Sequence, residues 1–214
     1  MSNIRGFRLH RDNLNNKQER FLKDLQQRYN EKTKRSKEYI SKNRYHLCDW
    51  MNSLGFKLSL KEMLYPIISH ESEGAYFTDI DGNRYVDIAM GYGACFHGHK
   101  PKFIQEAIKE RLERGFELGP QNVETGESAQ LIHELTGVDR VTFCGTGSEA
   151  VMFALRIARA FTKRKKVVIF ANSFHGTFDG VLGKTIEDKT VPLSPGTTEG
   201  MVEDLVVLEY GADA

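Results

Sequence analysis

A chain of 214 residues with 40% hydrophobic content is long enough for one large domain, or one domain with extensions, and predicts a packed core rather than disorder. Its net charge of +1 gives no global reason to expect a nucleic acid or a membrane as partner; residues 1–47 hold 13 Lys+Arg against 5 Asp+Glu (+8) and the rest 17 against 24 (−7), and a solvated helix face accounts for that basic arm most simply. Cys48, Cys95 and Cys144 form no CxxC pair, and no apolar run reaches membrane-spanning length or resembles a signal-peptide core, so the expectation is a soluble, cytoplasmic protein without a disulfide framework.

Residues 14–47 are charged and nearly free of Gly and Pro, and Leu14, Phe21, Leu25 and Tyr29 recur at helical spacing. They predict a helical arm with one narrow apolar stripe; the heptads do not persist, which argues against a coiled coil. The body is expected to begin near Phe56, giving a basic arm over 1–55, a smaller segment over 56–120 and a larger one over 121–214. From Gly74 to Ile88 apolar and polar residues alternate around Asp81-Gly82, a strong hairpin signal. Pro101 opens a helix of about a dozen residues. A second helix is expected from about Glu124 to Leu135, stopping at Gly137. Then come a strand over 140–144, a helix over 148–162, a strand over 166–170, a polar loop over 171–200 and a strand near 204–209. Strands alternating with helices predict an α/β fold with a parallel-rich sheet and flanking helices.

The run Cys144-Gly-Thr-Gly-Ser-Glu-Ala150 reads as the turn between a strand and a helix. Gly145 to Ala150 matches the GxGxxA form of the dinucleotide fingerprint, but the next strand ends in Ala171 and Asn172, where that fingerprint wants an acid for the ribose. A nicotinamide cofactor, and with it a Rossmann-type oxidoreductase, is therefore only a distant alternative. Gly183-Lys184-Thr185 resembles the end of a Walker loop, yet Phe178 stands where its first glycine belongs. A mono-phosphate site survives: Gly147 permits close backbone approach, Ser148 offers a hydroxyl and an amide, and a helix N-terminus adds positive potential. An ordinary turn with Ser148 as the helix cap explains the same residues equally well. Phe174-His175-Gly176 follows at the carboxyl end of the neighbouring strand, where parallel sheets bind ligands. His97 and His99 lack a third metal ligand and read as structural, His133 as a surface or core residue.

With these residues in view, the sequence resembles the class III, glutamate-1-semialdehyde-type aminotransferases that use pyridoxal phosphate (PLP). The resemblance rests on "GTGSEAVMFALRIARAFTKRKKVVIFANSFHGTFDGVLG" and "YFTDIDGNRYVDIAMGYGACFHGHKP", and it runs from Lys57 to the C-terminus. "LSLKEMLYPII" after a basic arm is similar to the aminotransferase modules of hybrid peptide-synthetase/polyketide-synthase systems. The resemblance implies the PLP-dependent transferase fold type I, with phosphate contacts from Thr146, Gly147 and Ser148. It implies ring contacts from Phe174, His175 and Gly176, and a substrate-side aromatic at Tyr92. Where the family often has Tyr-His-Gly, Phe174 keeps the stacking face and loses the phenol's hydrogen bond.

The implied reaction moves an amino group from a small-molecule donor to a keto or aldehyde acceptor, in the module case a β-keto acyl chain on an acyl-carrier protein. The intact family forms homodimers. Its Schiff-base lysine and its ring-nitrogen aspartate fall on later strands, so both are expected beyond Ala214. Lys184, Lys189 and Asp179 are unsupported substitutes. The expectation is an N-terminal part of the fold, with an incomplete sheet and no activity alone; a non-catalytic binding or interaction remnant is the alternative.

Overall fold

The computed structural model describes residues 13–48, 57–115, 117 and 119–211. The chain divides into two compact units, with the boundary between residues 116 and 117. The expected start of the body at Phe56 lies outside the described residues, as does Ala214.

The first unit begins with two helices where the spacing predicts one, α1 (Asn16–Lys32) and α2 (Lys34–Asn43). Asn15 and Gln18 start α1 with a reciprocal capping box, which satisfies donors that a helix N-terminus otherwise leaves orphaned. The break falls at Thr33, which is buried and whose hydroxyl lies 2.7 Å from that of Tyr65.

Three antiparallel strands follow in the order β1 (Ser69–Glu73), β2 (Tyr76–Asp79) and β3 (Arg84–Val86). The hairpin expected around Asp81-Gly82 is β2–β3, pairing Phe77 with Tyr85, whose rings stack at 5.0 Å. Its turn reaches back to the arm. The Asp81 carboxylate accepts the backbone N–H groups of Arg35 (2.6 Å) and Ser36 (3.0 Å), and Asn83 donates to the last carbonyl of α1, on Lys32 (2.7 Å). One turn thus caps the end of α1 and the start of α2, a helix whose own N-cap residue makes no side-chain cap. The arm is docked, not free.

Beneath that turn, buried Asp79 accepts hydrogen bonds from the Asp81 and Asn83 backbones, the Asn83 amide and the Tyr85 hydroxyl. Burial pushes its carboxyl up, but these donors outweigh burial and hold it below the usual aspartate range. The same burial, together with the bond to Asp79, raises the Tyr85 phenol. The unit closes with α3 (Lys102–Arg114), which Pro101 precedes as N-cap.

In the second unit, Asn122 caps α4 (Val123–Thr136), which stops at left-handed Gly137 as the sequence predicts. Next comes α5 (Gly147–Thr162), then β4 (Val167–Phe170), which pairs in parallel with β7 (Leu205–Leu208). Ile169, Val202, Leu205 and Val207 form the core beneath this pair.

Two expectations change here. Residues 140–144 form no strand: among the described residues no ladder partner faces them, and without a ladder an apolar run stays irregular. The expected loop over 171–200 contains an antiparallel hairpin, β5 (Gly183–Ile186) with β6 (Lys189–Pro192), and a short helix, α6 (Glu199–Val202). Its two-residue turn, Glu187-Asp188, has φ of 47° and 60°, the positive values such turns require, without a glycine to announce it. Thr185 ties the hairpin to β7 by donating to the Val207 carbonyl. No helix among the described residues is long and apolar enough to cross a membrane.

Candidate functional site

The start of α5 and the end of β4 meet because only four residues, 163–166, separate that helix from that strand. The chain must therefore turn back, which brings the helix N-terminus to the strand's carboxyl end. Thr146 is the N-cap, and its hydroxyl accepts the Glu149 N–H (3.2 Å) while Glu149 accepts the Thr146 N–H (3.0 Å). The alternative reading made Ser148 the cap; the cap is Thr146, which releases the Ser148 side chain for another use.

Ser148 spends part of that freedom on the second loop, where its Oγ accepts the backbone N–H of Thr177 at 3.0 Å. Gly176 makes the approach possible. Its φ is 108°, and a Cβ there would lie 2.8 Å from Ser148 Oγ and 2.9 Å from Ser148 Cα. At Gly147, by contrast, an added Cβ would meet nothing within 4 Å, so open space adjoins the first helical turn. The N–H groups of Gly147 and Ser148 meet no protein acceptor among the described residues. Two backbone donors, two hydroxyls and a helix N-terminus border that space, a set that suits an anion.

Phe174 stands beside this cradle in sequence and is 79% exposed, leaving a ring face available for stacking. Ser173 Oγ donates to the Phe170 carbonyl and lies 2.8 Å from His175 Nε2. Thr146, Gly147, Ser148 and Phe174–Gly176 therefore share one end of one unit. Thr177 and Ser173 were not among the expected residues. Thr177 contributes a backbone N–H, which no side-chain motif displays; Ser173 had a visible signal, a hydroxyl two residues before a histidine.

Tyr92 belongs to the first unit, 94% exposed and at φ 56° within a left-handed turn over Met90–Gly93. The base of its loop is clasped by His99 Nε2 and the Asp87 carboxylate at 2.8 Å, and by two backbone bonds between His99 and Gly74. The Met90 N–H first, then His99 and the Ala89 N–H, hold the Asp87 carboxyl below its ordinary range. His99 is thus a structural clasp, while His97 packs edge-on between Phe96 and Phe103. No group of side chains that could hold a metal occurs among the described residues.

His133 lies within 2.6 Å of the Val138 carbonyl, just past the end of α4. Lys184 and Lys189 stand exposed on β5 and β6, and Asp179 accepts from the Thr197 hydroxyl at 2.8 Å. The three cysteines are free. A concavity of about 800 Å³ opens in the first unit between α1 and Lys57–Leu60; its walls, Leu14, Phe21, Leu22 and Leu60 among them, carry no reactive cluster.

Comparison with known proteins gives this geometry a context. The family described as aminotransferase class-III matches residues 59–208. The glutamate-1-semialdehyde 2,1-aminomutase of Rhodopirellula baltica is 38% identical over 149 residues, which cover 68% of this chain and 34% of that protein. The chain spans about a third of the length of the curated relatives it matches. Among solved structures, a glutamate-1-semialdehyde aminomutase from Pseudomonas aeruginosa superposes with a TM-score of 0.75 at 25% identity, over 89% of this chain and 42% of that one. A transaminase solved with PLP bound gives 0.63 at 29%, over 69% of this chain and 36% of that one. The α/β architecture is that of the fold type I PLP-dependent transferases.

Proposed function

This chain belongs to the class-III aminotransferase family, and on that premise we propose that it binds PLP and serves the transfer of an amino group from a small-molecule donor to a keto or aldehyde carbon. When bound, PLP supplies an aldehyde that takes up an amine and a ring that accepts the resulting electron density. The residues of this chain hold it. Gly147 and Ser148 offer backbone N–H groups to the phosphate, and the Ser148 and Thr146 hydroxyls retain protons to donate to it. Phe174 covers a ring face, with His175 and Gly176 shaping the loop beneath. Tyr92 is proposed as an aromatic contact of the substrate.

The observation that carries this reading is the Ser148–Thr177 contact across Gly176, which joins the helix N-terminus to the aromatic loop. Relatives of known chemistry support it: one transaminase was solved with PLP, and a variant of the Pseudomonas aminomutase with PMP.

The lysine that bonds the aldehyde and the carboxylate that keeps the ring nitrogen protonated are assigned, in this proposal, to polypeptide outside residues 1–214. Lys184 and Lys189 are exposed on the β5–β6 hairpin, and Asp179 is engaged by Thr197. Residues 1–214 alone are accordingly proposed to be inactive, and the working enzyme to be a homodimer. The acceptor is proposed to be a β-keto acyl chain on an acyl-carrier protein, in a reducing compartment such as the cytoplasm, which the free cysteines suit.

The test begins with PLP added to the chain and its absorbance followed, then borohydride reduction and peptide mapping. A change in the PLP spectrum without a stoichiometric lysine adduct is the expected result. A stoichiometric adduct on Lys184 or Lys189 would move the catalytic amine into this chain. No spectral change would remove the cofactor. Retention on an immobilised acyl-carrier domain supports the carrier-bound acceptor, and passage straight through argues for a free one.

A further inference from the structure

We propose that Thr177 is a positioning residue for the cofactor phosphate, acting through its backbone N–H on Ser148; this deepens the PLP reading and rests on it. A serine hydroxyl has one proton and two lone pairs. In this structure the Thr177 N–H, 3.0 Å away, takes one lone pair of Ser148 Oγ. The Thr177 hydroxyl, at 3.4 Å, is at the outer limit of a second contact. With one lone pair occupied, the Ser148 proton points away from the Thr177 N–H and can be offered to a ligand. The hydroxyl becomes a donor, the polarity that suits a phosphate oxygen and disfavours a cation.

The chain Thr177 N–H to Ser148 O–H to phosphate oxygen is cooperative, because each bond polarises the next. The geometry also explains the residue before Thr177. Only a glycine at 176 lets the backbone pass within reach of Ser148, since a Cβ would lie 2.8 Å from its Oγ. Gly176 thus serves the phosphate by admitting Thr177. Thr146 completes the division of labour: it caps the helix through Glu149, so Ser148 is not drawn into capping.

The cooperative chain makes a signature that a purely structural contact would not give. When an anion accepts the Ser148 proton, Oγ becomes a better acceptor. The Thr177 amide proton then moves downfield and exchanges with solvent more slowly. The experiment is amide NMR of the full chain, titrated separately with PLP, inorganic phosphate and pyridoxal. Phosphate-bearing ligands are expected to shift the Thr177 amide and slow its exchange at least about threefold, whereas pyridoxal leaves it in place. Ser148→Ala, with the fold checked by its amide spectrum, is expected to abolish the response.

Thr177→Pro, which deletes the N–H, is expected to weaken PLP binding at least about tenfold. Should that variant fail to fold, the wild-type titration still decides. PLP binding more tightly than pyridoxal with an unmoved Thr177 amide would overturn the positioning role and leave the cofactor reading intact. Equal binding of PLP and pyridoxal would sink the cofactor reading and this inference with it.

Discussion

At the scale of single residues, the site depends on one missing carbon. Gly176→Ala would put a methyl group 2.8 Å from Ser148 Oγ and 2.9 Å from its Cα, at a φ of 108°. The Cα is backbone and cannot swing aside, so the loop must shift. The variant should lose about 1–3 kcal/mol of stability, together with most of its preference for PLP over pyridoxal, as read by thermal melts and ligand titration. Asp79 gives a prediction with a sign. Its folded pKa is depressed by hydrogen bonds, below the roughly 3.9 of an unfolded aspartate. Its contribution is therefore fully present above that value and is lost as pH falls through the folded pKa. Urea titrations of the first unit's signals should show stability declining below about pH 4. Asp79→Ala should leave four donors without their acceptor, cost about 3 kcal/mol or more at neutral pH and shrink that decline. Unchanged stability at pH 7 would contradict this account of the network.

Elements were legible where local rules decide them. Gly137 ends α4 and Asp81-Gly82 marks the β2–β3 turn; the cap of α5, read as Ser148, is Thr146. They were illegible where a distant partner decides. Nothing local breaks the arm at Thr33; the break is held by Asp81 and Asn83, about fifty residues on in sequence. β1 is Ser-His-Glu-Ser-Glu, without a single apolar residue, and owes its form to pairing with β2. The β5–β6 turn uses Glu187-Asp188 where Asn-Gly would have been noticed. The converse error is 140–144, read as a strand leading into the glycine turn, where no ladder partner faces it among the described residues. Asp81→Ala tests the arm's docking directly. It should cost about 1–2 kcal/mol and speed hydrogen exchange at Arg35 and Ser36, with the exchange at α4 unaffected.

At the scale of the whole molecule, apolar side chains stay in solvent. Phe153, Ile157 and Phe161 recur every fourth residue along α5, and Leu131 and Leu135 do so along α4, all of them exposed. Stripes of this kind belong against another surface, and β4, which among the described residues pairs on one side only, adds to the hazard. The 214-residue chain should self-associate at micromolar concentration, and Ile157→Ser with Phe161→Ser should reduce that association in light scattering. A monodisperse wild-type monomer would contradict this. The central claim, that the α5 start and the Phe174–Thr177 loop form a phosphate cradle for PLP, is tested most directly by comparing the dissociation constants of PLP and pyridoxal. The two ligands differ only in the phosphate. PLP is predicted to bind at least about tenfold more tightly, with Ser148→Ala removing most of the difference. Equal affinities in the wild-type chain would contradict the claim.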